Sequence, residues 1–251
     1  VSPVFAALVS RLAELLTGDG DELLPWLDDT SLPASRLPMG NRAGLLTPLL
    51  TSSRLEDHLV SFAEYAAAYL LAWGEAPWLR LEQELPMQLG DAVSAYRAAV
   101  GSARRVLANV PVYGMADDHE VTDDWNLNLG WRYRVESHAL TRRIVRNAMS
   151  AFVLFQAWGN EPTRLAPLAL AAASWTNDTQ RRTDEDYGRT LRATYFGFVA
   201  PTQPKVLVLD TRTDRDDAEK HGHDVVAVLD PRPPALLGAR AKAWVATALT
   251  E

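Results

Sequence analysis

The strongest constraint on the fold is a helical pattern that runs from His138 to Trp158, in the sequence HALTRRIVRNAMSAFVLFQAW. Apolar side chains recur there every three or four residues, which places them on one face of a helix. These apolar positions are Leu140, Ile144, Ala148, Ala151, Phe155 and Trp158. Because one whole face is apolar, the segment predicts a helix packed into the core of a globular protein. Gly159 and Asn160 follow, and they favour the end of the helix there.

Other segments predict further helices and a few short strands. Helical patterns predict a first helix that starts at Ser2 and Pro3, and further helices over residues 54–73, 91–108 and 234–250. Residues 25–53 and 174–189 are predicted to be irregular. Strand patterns occur in NVPVYGM (109–115), KVLVLD (205–210) and DVVAVLD (224–230). Because helices and strands alternate from residue 91 onward, we predict an α/β (α+β) fold, a helix-rich chain around a small sheet.

Two groups of polar residues occur inside these predicted helices. Glu64 and Tyr65 lie in an alanine-rich segment, which predicts close packing around a buried polar contact. Arg142, Arg143 and Arg146 lie in the long helix, and we interpret them either as a solvated face or as a rim that attracts phosphate.

The composition excludes several classes of function. The 251 residues are 47% hydrophobic and 23% charged, as in an ordinary globular protein, and the net charge is −7 with no basic block, which disfavours nucleic-acid binding. No apolar run reaches the about 18 residues that a membrane span needs. There are no cysteines, so disulfides, thiolate catalysis and cysteine-ligated metals are excluded. The opening residues lack a signal-peptide pattern, so a cytoplasmic location is favoured, while the oligomeric state stays open.

An unusually acidic stretch follows the first strand pattern. In VYGMADDHEVTDDWN, residues 112–126, five carboxylates and one histidine occupy eight consecutive positions. The carboxylates are Asp117, Asp118, Glu120, Asp123 and Asp124. Carboxylates this close repel one another unless a cation or water relieves them, and hard oxygen ligands favour Ca²⁺, Mg²⁺, Mn²⁺ or iron. The stretch is therefore either a solvated acidic turn or a cation site, and the apolar run before it favours a site.

Two strand patterns end in aspartate at their carboxyl ends. The first leads to Asp117 and Asp118, and the second, VLVLD, ends at Asp210. Ligands of α/β sheets bind beyond the carboxyl ends of the strands. If the two strands are parallel neighbours, these aspartates share one rim of the sheet.

Three segments together resemble a known family. VPVYGMADDHEVTDDWNLNLGW, RRIVRNAMSAFVLFQAWGNEP and VLVLDTRT are similar to segments of the PhoD-like metallophosphatase family, which is related to alkaline phosphatase D and to calcineurin-like phosphoesterases. The resemblance runs from the first residues to about Thr213. It implies the middle portion of a β-sandwich with flanking helices, and a multi-metal centre that hydrolyses phosphate mono- or diesters.

The resemblance also implies roles for individual residues. Asp118 would be a metal ligand, with Asp117 as a second ligand or its partner, and His119 would face the scissile phosphate. Arg212 would bind the phosphate, because a guanidinium binds phosphate through two hydrogen bonds, and Asn126 is expected beside the substrate. Glu120 would orient His119 or the local backbone. The expected cofactors are metal ions, with calcium, manganese or iron as the candidates.

Two further metal motifs of the family do not occur in these 251 residues, namely a Gly-Asp-Gln-Ile-Tyr-like element upstream and a Gly-Asp-Val-His-like element downstream. We therefore expect one incomplete domain over residues 1–251, with a helical, insertion-like part over 1–90 and an α/β part with the acidic motif over 91–251. The predicted function is that of a metal-dependent phosphoesterase, and this chain would be either an incomplete part of such an enzyme or an inactive segment of it. The alternative is a non-catalytic α-rich module that binds a divalent cation or a protein partner through the acidic stretch.

Overall fold

The structure, a computed structural model, describes residues 3–17, 42–47, 49–84, 89–119, 121–125, 129–175, 181–194, 197–213, 215 and 236–250. The chain divides into two compact units. Unit 1 consists of Val1–Thr47 and Arg54–Val112, and unit 2 consists of Pro48–Ser53 and Tyr113–Glu251. Helices dominate the described residues, which also contain a two-stranded antiparallel sheet. The prediction of a helix-rich α/β chain around a small sheet is confirmed, while the predicted division at residue 90 stays a prediction.

Unit 1 is helical in its described part. Its elements are α1 (Pro3–Thr17), α2 (Ala43–Leu46), a 3₁₀ turn (Leu55–Asp57), α3 (Phe62–Trp73), α4 (Ala76–Glu84) and α5 (Asp91–Asn109). The apolar stripe of α1 packs on α3. The hydrophobic core of unit 1 includes Leu8, Leu12, Leu71, Trp78 and Val100. The helices predicted from Pro3 and over residues 91–108 are thus confirmed.

The start of α3 differs from its prediction at residue 54. The helix begins at Phe62, because Ser61 caps it: the Ser61 hydroxyl accepts the Glu64 N–H at 3.1 Å, and Glu64 Oε2 accepts the Ser61 N–H at 3.0 Å. Such a capping box satisfies two backbone donors that a helix start leaves open. The predicted end at Gly74 is confirmed.

A buried ion pair ties the segment before α3 to that helix. Arg42 and Glu64 are 1% and 4% exposed, and their side chains pair at 2.5 Å from Nη2 to Oε1 and 3.2 Å from Nη1 to Oε2. Arg42 Nη1 also donates to the His58 carbonyl at 2.5 Å, and Glu64 Oε2 accepts the Val60 N–H at 2.8 Å. Because both charges are fully hydrogen-bonded, their burial is tolerated. The predicted buried polar contact at Glu64 and Tyr65 is confirmed.

Unit 2 is built around one long, nearly continuous helix. Its elements are α6 (Leu129–Ser137), α7 (Ala139–Phe152), a π-helical turn (Val153–Ala157), α8 (Trp158–Asn160), α9 (Pro162–Trp175), α10 (Arg181–Thr194), β1 (Gly197–Ala200), β2 (Val206–Leu209) and α11 (Ala239–Ala248). The turn joins α7 to α8 without a break, so the helix predicted between His138 and Trp158 is confirmed. Most side chains of α7 are buried, in agreement with a core position.

Two interpretations of the helical part of unit 2 are wrong. Residues 181–189, predicted to be irregular, belong to α10, whose Tyr187 and Leu191 are buried one helical turn apart. Arg143 and Arg146 are only 6% and 1% exposed, so they are not part of a solvated face. The positive charge of Arg146 instead acts on the buried Tyr187 hydroxyl, whose pKa is raised by burial in spite of that charge.

The strand predicted at residues 205–210 is confirmed as β2. It pairs antiparallel with β1, from Gly197 opposite Leu209 to Ala200 opposite Val206. Gly197 has φ +131°, and a Cβ there would lie 3.1 Å from the Trp244 ring, so the position requires glycine. The strand predicted over residues 224–230 lies outside the described residues.

The strand predicted for NVPVYGM is wrong, because residues 111–117 form no ladder. The side chain of Asn160 takes the place of a neighbouring strand: its Oδ1 accepts the Gly114 N–H at 3.0 Å, and its Nδ2 donates to the Gly114 carbonyl at 2.7 Å. Tyr113 then stacks on Phe198 of β1, with ring centroids 5.7 Å apart. The segment is therefore anchored by side chains, but it is not a parallel neighbour of β2.

We expect Arg42→Met to lower the free energy of unfolding by about 3–5 kcal/mol, because it leaves the Glu64 carboxylate buried without its partner. Urea denaturation followed by circular dichroism measures the change. The control is Arg97→Met, which breaks the pair of Arg97 with Glu82, whose side chains are 34% and 43% exposed; we expect at most about 1 kcal/mol there. Equal losses for the two variants would contradict a structural role of the buried pair.

Candidate functional site

The acidic loop, defined here as residues 117–125, is held by buried anchors. The Asp118 carbonyl accepts the N–H groups of Val121 and Thr122 at 3.0 and 2.8 Å, and the Thr122 carbonyl accepts the Trp125 N–H at 3.1 Å. Val121, Thr122 and Trp125 are all at most 5% exposed. Because these three side chains point into the protein, the carboxylates between them are held at the surface.

A strap, defined here as residues Thr51–Ser53, runs along this loop within unit 2. The Thr51 N–H donates to the Thr122 hydroxyl at 3.1 Å, and the hydroxyls of Ser52 and Thr122 lie 2.8 Å apart. The Ser53 N–H donates to Asp123 Oδ2 at 3.1 Å, and the Thr51 hydroxyl donates to the Asp123 carbonyl. The strap therefore fixes the second half of the acidic loop.

Asp118 pairs with Arg212 across the site. Its Oδ1 accepts Arg212 Nε at 3.1 Å and Nη2 at 2.9 Å, and its Oδ2 accepts the Asp124 N–H at 3.2 Å. Burial acts to raise the pKa of Asp118, but the hydrogen bonds from Arg212 and from backbone N–H groups, together with the positive charge of Arg212, lower it below the ordinary value of 3.8. Asp118 is therefore held as a carboxylate.

Asp210 fixes the other partner of this pair. It follows β2, is 0% exposed, and its Oδ1 accepts the N–H groups of Arg212 and Thr213 at 2.8 and 3.0 Å. The Thr213 hydroxyl also donates to Asp210 Oδ2. This local turn aims Arg212 at Asp118. Asp118 thus binds the guanidinium of Arg212 and Asp210 binds its backbone N–H, although the parallel strands predicted to bring the two aspartates together do not exist.

Asp117 and His119 lie at the surface of the acidic loop. Asp117 Oδ1 accepts the His119 N–H at 2.9 Å, and the His119 side chain is 72% exposed with its Nδ1 3.0 Å from Asp123 Oδ1. The structure thus brings together Asp117, Asp118, His119 and Arg212 of the predicted site. Asn126 and Glu120 lie outside the described residues, and the predicted roles of all these residues stay predictions.

The site also contains residues that the sequence did not single out. Arg215 Nε donates to the Thr211 carbonyl at 2.5 Å. Burial and then the neighbouring charge of Arg212 lower the pKa of Arg215, while the carboxylates of Asp118 and Asp210 oppose that shift. A second guanidinium therefore lies in the field of the same two carboxylates. The strap is the other addition, and no local pattern in its sequence indicated it.

Comparison with known proteins places this chain in a family. The family described as PhoD-like phosphatase matches residues 92–251, which is more than half of the chain. The chain belongs to the PhoD-like phosphatase family. No curated protein and no solved structure matches it. None of the described helices is long and apolar enough to cross a membrane.

A PhoD-like phosphatase is expected to use metal ions, so we tested whether the described residues fit one. A metal site in a protein needs at least three or four ligands from the chain or from water. Within the described ranges, no group of three histidine, aspartate or glutamate side chains could hold a metal ion. Both Asp118 oxygens are also engaged, by Arg212 and by the Asp124 N–H. The described residues therefore do not form a metal centre by themselves.

We expect the stability that Asp118 contributes to depend on pH. Its folded-state pKa is depressed, so this contribution is fully present above the ordinary value of 3.8 and is lost as the pH falls through the lower, folded-state value. Wild type should therefore exceed Asp118→Asn in free energy of unfolding at neutral pH, and the difference should shrink below pH 3.8. Urea denaturation of both proteins, once at neutral pH and once below pH 3.8, measures this difference in the free energy of unfolding.

The matched control is Asp124→Asn, which removes the charge of an exposed neighbour. Its φ of +59° is a conformation that asparagine adopts readily, so the backbone should not change. A difference between wild type and Asp118→Asn that stays constant across the same pH range would contradict the prediction.

Proposed function

We propose that this chain takes part in phosphoester hydrolysis, with Arg212 binding the phosphate group and His119 acting at the leaving oxygen. The observation that carries the proposal is the Asp118–Arg212 contact, which holds a guanidinium against the loop that carries an exposed histidine. Membership of the PhoD-like family supports the reaction class. The role of each residue is part of the proposal.

Arg212 suits phosphate because its planar group can offer two parallel N–H donors to two oxygens. Asp118 orients the group, and the nearby Asp210 fixes its backbone, so little side-chain freedom is lost when a ligand binds. Arg215 adds a second positive charge beside Arg212. Together these two arginines would bind the non-bridging oxygens of a phosphate ester.

His119 suits proton transfer because an imidazole ring can both give and take up a proton and this ring is exposed. In hydrolysis, a bond forms between a water oxygen and phosphorus while the bond from phosphorus to the ester oxygen breaks. The protonated ring would give its Nε2 proton to that departing oxygen, and neutral His119 would remain. The leaving group then departs as an alcohol, without a build-up of negative charge on its oxygen. The attacking water would release one proton to solvent, and His119 would take one back before the next turnover.

Metal dependence is a further part of the proposal. Asp118 and Asp117 are the oxygen donors that the chain would contribute, and calcium, manganese and iron are the candidates that accept such ligands. Two carboxylates are too few for a centre, so further ligands would have to come from beyond the described residues. We assign no step of the reaction to the metal.

The non-catalytic alternative receives less support from the geometry. In the described part of the acidic loop, Asp117 accepts the His119 N–H, Asp118 pairs with Arg212, and Asp123 accepts the Ser53 N–H. These carboxylates are thus directed at groups of the chain itself. Asp118 in particular holds the guanidinium that the hydrolytic function needs, and cation capture alone does not require that contact.

We expect His119→Asn to lower kcat for a generic phosphodiester by about 10²–10⁴-fold, the usual contribution of a general acid. Arg212→Lys should mainly raise KM, because an ammonium group keeps the charge but loses the paired donors. The control is Arg189→Lys, since Arg189 forms a surface pair with Asp186 and is 68% exposed. An unchanged kcat in His119→Asn would contradict the proposed role of the histidine.

We expect a chelator to abolish the hydrolysis, and added Ca²⁺, Mn²⁺ or Fe³⁺ to restore it, because metal ions complete the proposed site. The measurement is the rate before dialysis against the chelator, after it, and after each metal is returned. Circular dichroism of the dialysed protein separates loss of activity from loss of fold. Full activity in the presence of the chelator would contradict metal dependence.

A further inference from the structure

We propose that Asp123 is a positioning residue for His119: its carboxylate accepts the Nδ1 proton of the ring and so keeps Nε2 directed away from the loop. The resemblance assigns the orienting role to Glu120, whereas the sequence alone predicts only a solvated or capping role for Asp123. The catalytic consequence of this proposal rests on the function proposed above, whereas the positioning itself does not.

The two side chains lie within hydrogen-bonding distance of each other. His119 Nδ1 lies 3.0 Å from Asp123 Oδ1, with the two residues four apart in the acidic loop. The His119 side chain is 72% exposed and that of Asp123 is 33% exposed. An exposed ring on a loop turns freely unless something holds it, and Asp123 is the acceptor within reach of its Nδ1 in the described part of the loop.

Asp123 is itself held in place, which a positioning residue must be. Its other oxygen, Oδ2, accepts the Ser53 N–H at 3.1 Å, and its carbonyl accepts the Thr51 hydroxyl. Thr51 is fixed in turn, because its N–H donates to the Thr122 hydroxyl at 3.1 Å and its own hydroxyl accepts from Trp131 Nε1 at 3.3 Å. The carboxylate is therefore held between the strap on one side and the histidine on the other.

The neighbouring aspartates do not offer the same contact. Asp117 accepts the backbone N–H of His119, not its ring, and Asp118 pairs with Arg212. Asp124 is exposed, and its backbone N–H, not its carboxylate, faces the site through the bond to Asp118. Only its backbone thus contributes to this arrangement, which makes Asp124 a suitable control position.

This contact would give His119 one defined tautomer. With Nδ1–H donated to Asp123, the proton given to the ester oxygen is the one on Nε2, and the neutral ring left behind keeps its bond to the carboxylate. The ring need not turn between its two protonation states. A carboxylate behind a catalytic histidine has the same two effects in other enzymes, where it fixes the tautomer and stabilises the imidazolium.

The test compares Asp123→Asn with Asp124→Asn, which each remove one negative charge from adjacent positions. The first readout is nitrogen-15 NMR of the histidine rings at a pH where His119 is neutral, with its signals assigned through their absence in His119→Asn. In wild type we expect the Nδ1–H tautomer to predominate. Asp123→Asn should shift the population toward Nε2–H, and Asp124→Asn should leave it unchanged.

The second readout is hydrolysis of the same phosphodiester. We expect Asp123→Asn to lower kcat by about 10–100-fold with little change in KM, the usual cost of losing a group that orients a working residue. Asp124→Asn should retain wild-type kinetics. If Asp123→Asn does not fold, the wild-type tautomer alone decides: predominance of Nε2–H would overturn the proposal, as would equal shifts in the two asparagine variants.

These readouts also separate the two proposals. If His119→Asn retains full activity while the tautomer depends on Asp123, the positioning contact stands and the catalytic role of His119 fails. If His119→Asn loses activity while Asp123→Asn keeps wild-type tautomer and kinetics, the catalytic role stands and Asp123 has no positioning role.

Discussion

The ion pair between Asp118 and Arg212 is the interaction on which the arrangement of the site depends. It joins residues 94 positions apart and holds the acidic loop next to the turn after β2. The side chains are 22% and 24% exposed, so the pair is near the surface, and pairs in that environment contribute on the order of 1 kcal/mol. Its importance therefore lies in orientation more than in stability.

Such a weak contact can set the geometry because both of its sides are fixed beforehand. On one side, the buried side chains of Val121 and Trp125 anchor the loop that carries Asp118, and the strap holds the second half of that loop. On the other side, the fully buried Asp210 accepts the N–H groups of Arg212 and Thr213. Since little freedom remains to be lost, a contact of modest strength is enough to hold the guanidinium in one orientation.

The sequence predicted those parts of the fold that have a local signature. The long helix of unit 2 follows from apolar periodicity, strand β2 follows from a continuous apolar run, and the motif around Asp118 and His119 is short and continuous. The strand predicted at NVPVYGM failed because its backbone partner is the side chain of Asn160, and a bond between distant segments leaves no periodic trace. The sequence predicts only a solvated or capping role for Asp123 for a similar reason, since its i,i+4 relation to His119 is local but its anchor on Ser53 is not.

The balance of charge explains why a cation belongs in the proposed function even though the described ligands are few. The acidic loop brings Asp117, Asp118, Asp123 and Asp124 to one surface, and the arginines near Asp118 are Arg212 and Arg215. A phosphate ester is an anion, so it would approach a surface on which carboxylates outnumber guanidinium groups. The positive charge of Arg212 is also partly neutralised by Asp118. A bound cation would offset that excess of negative charge, and this electrostatic requirement, more than any ligand geometry in the described residues, is the physical ground for including metal dependence in the proposal.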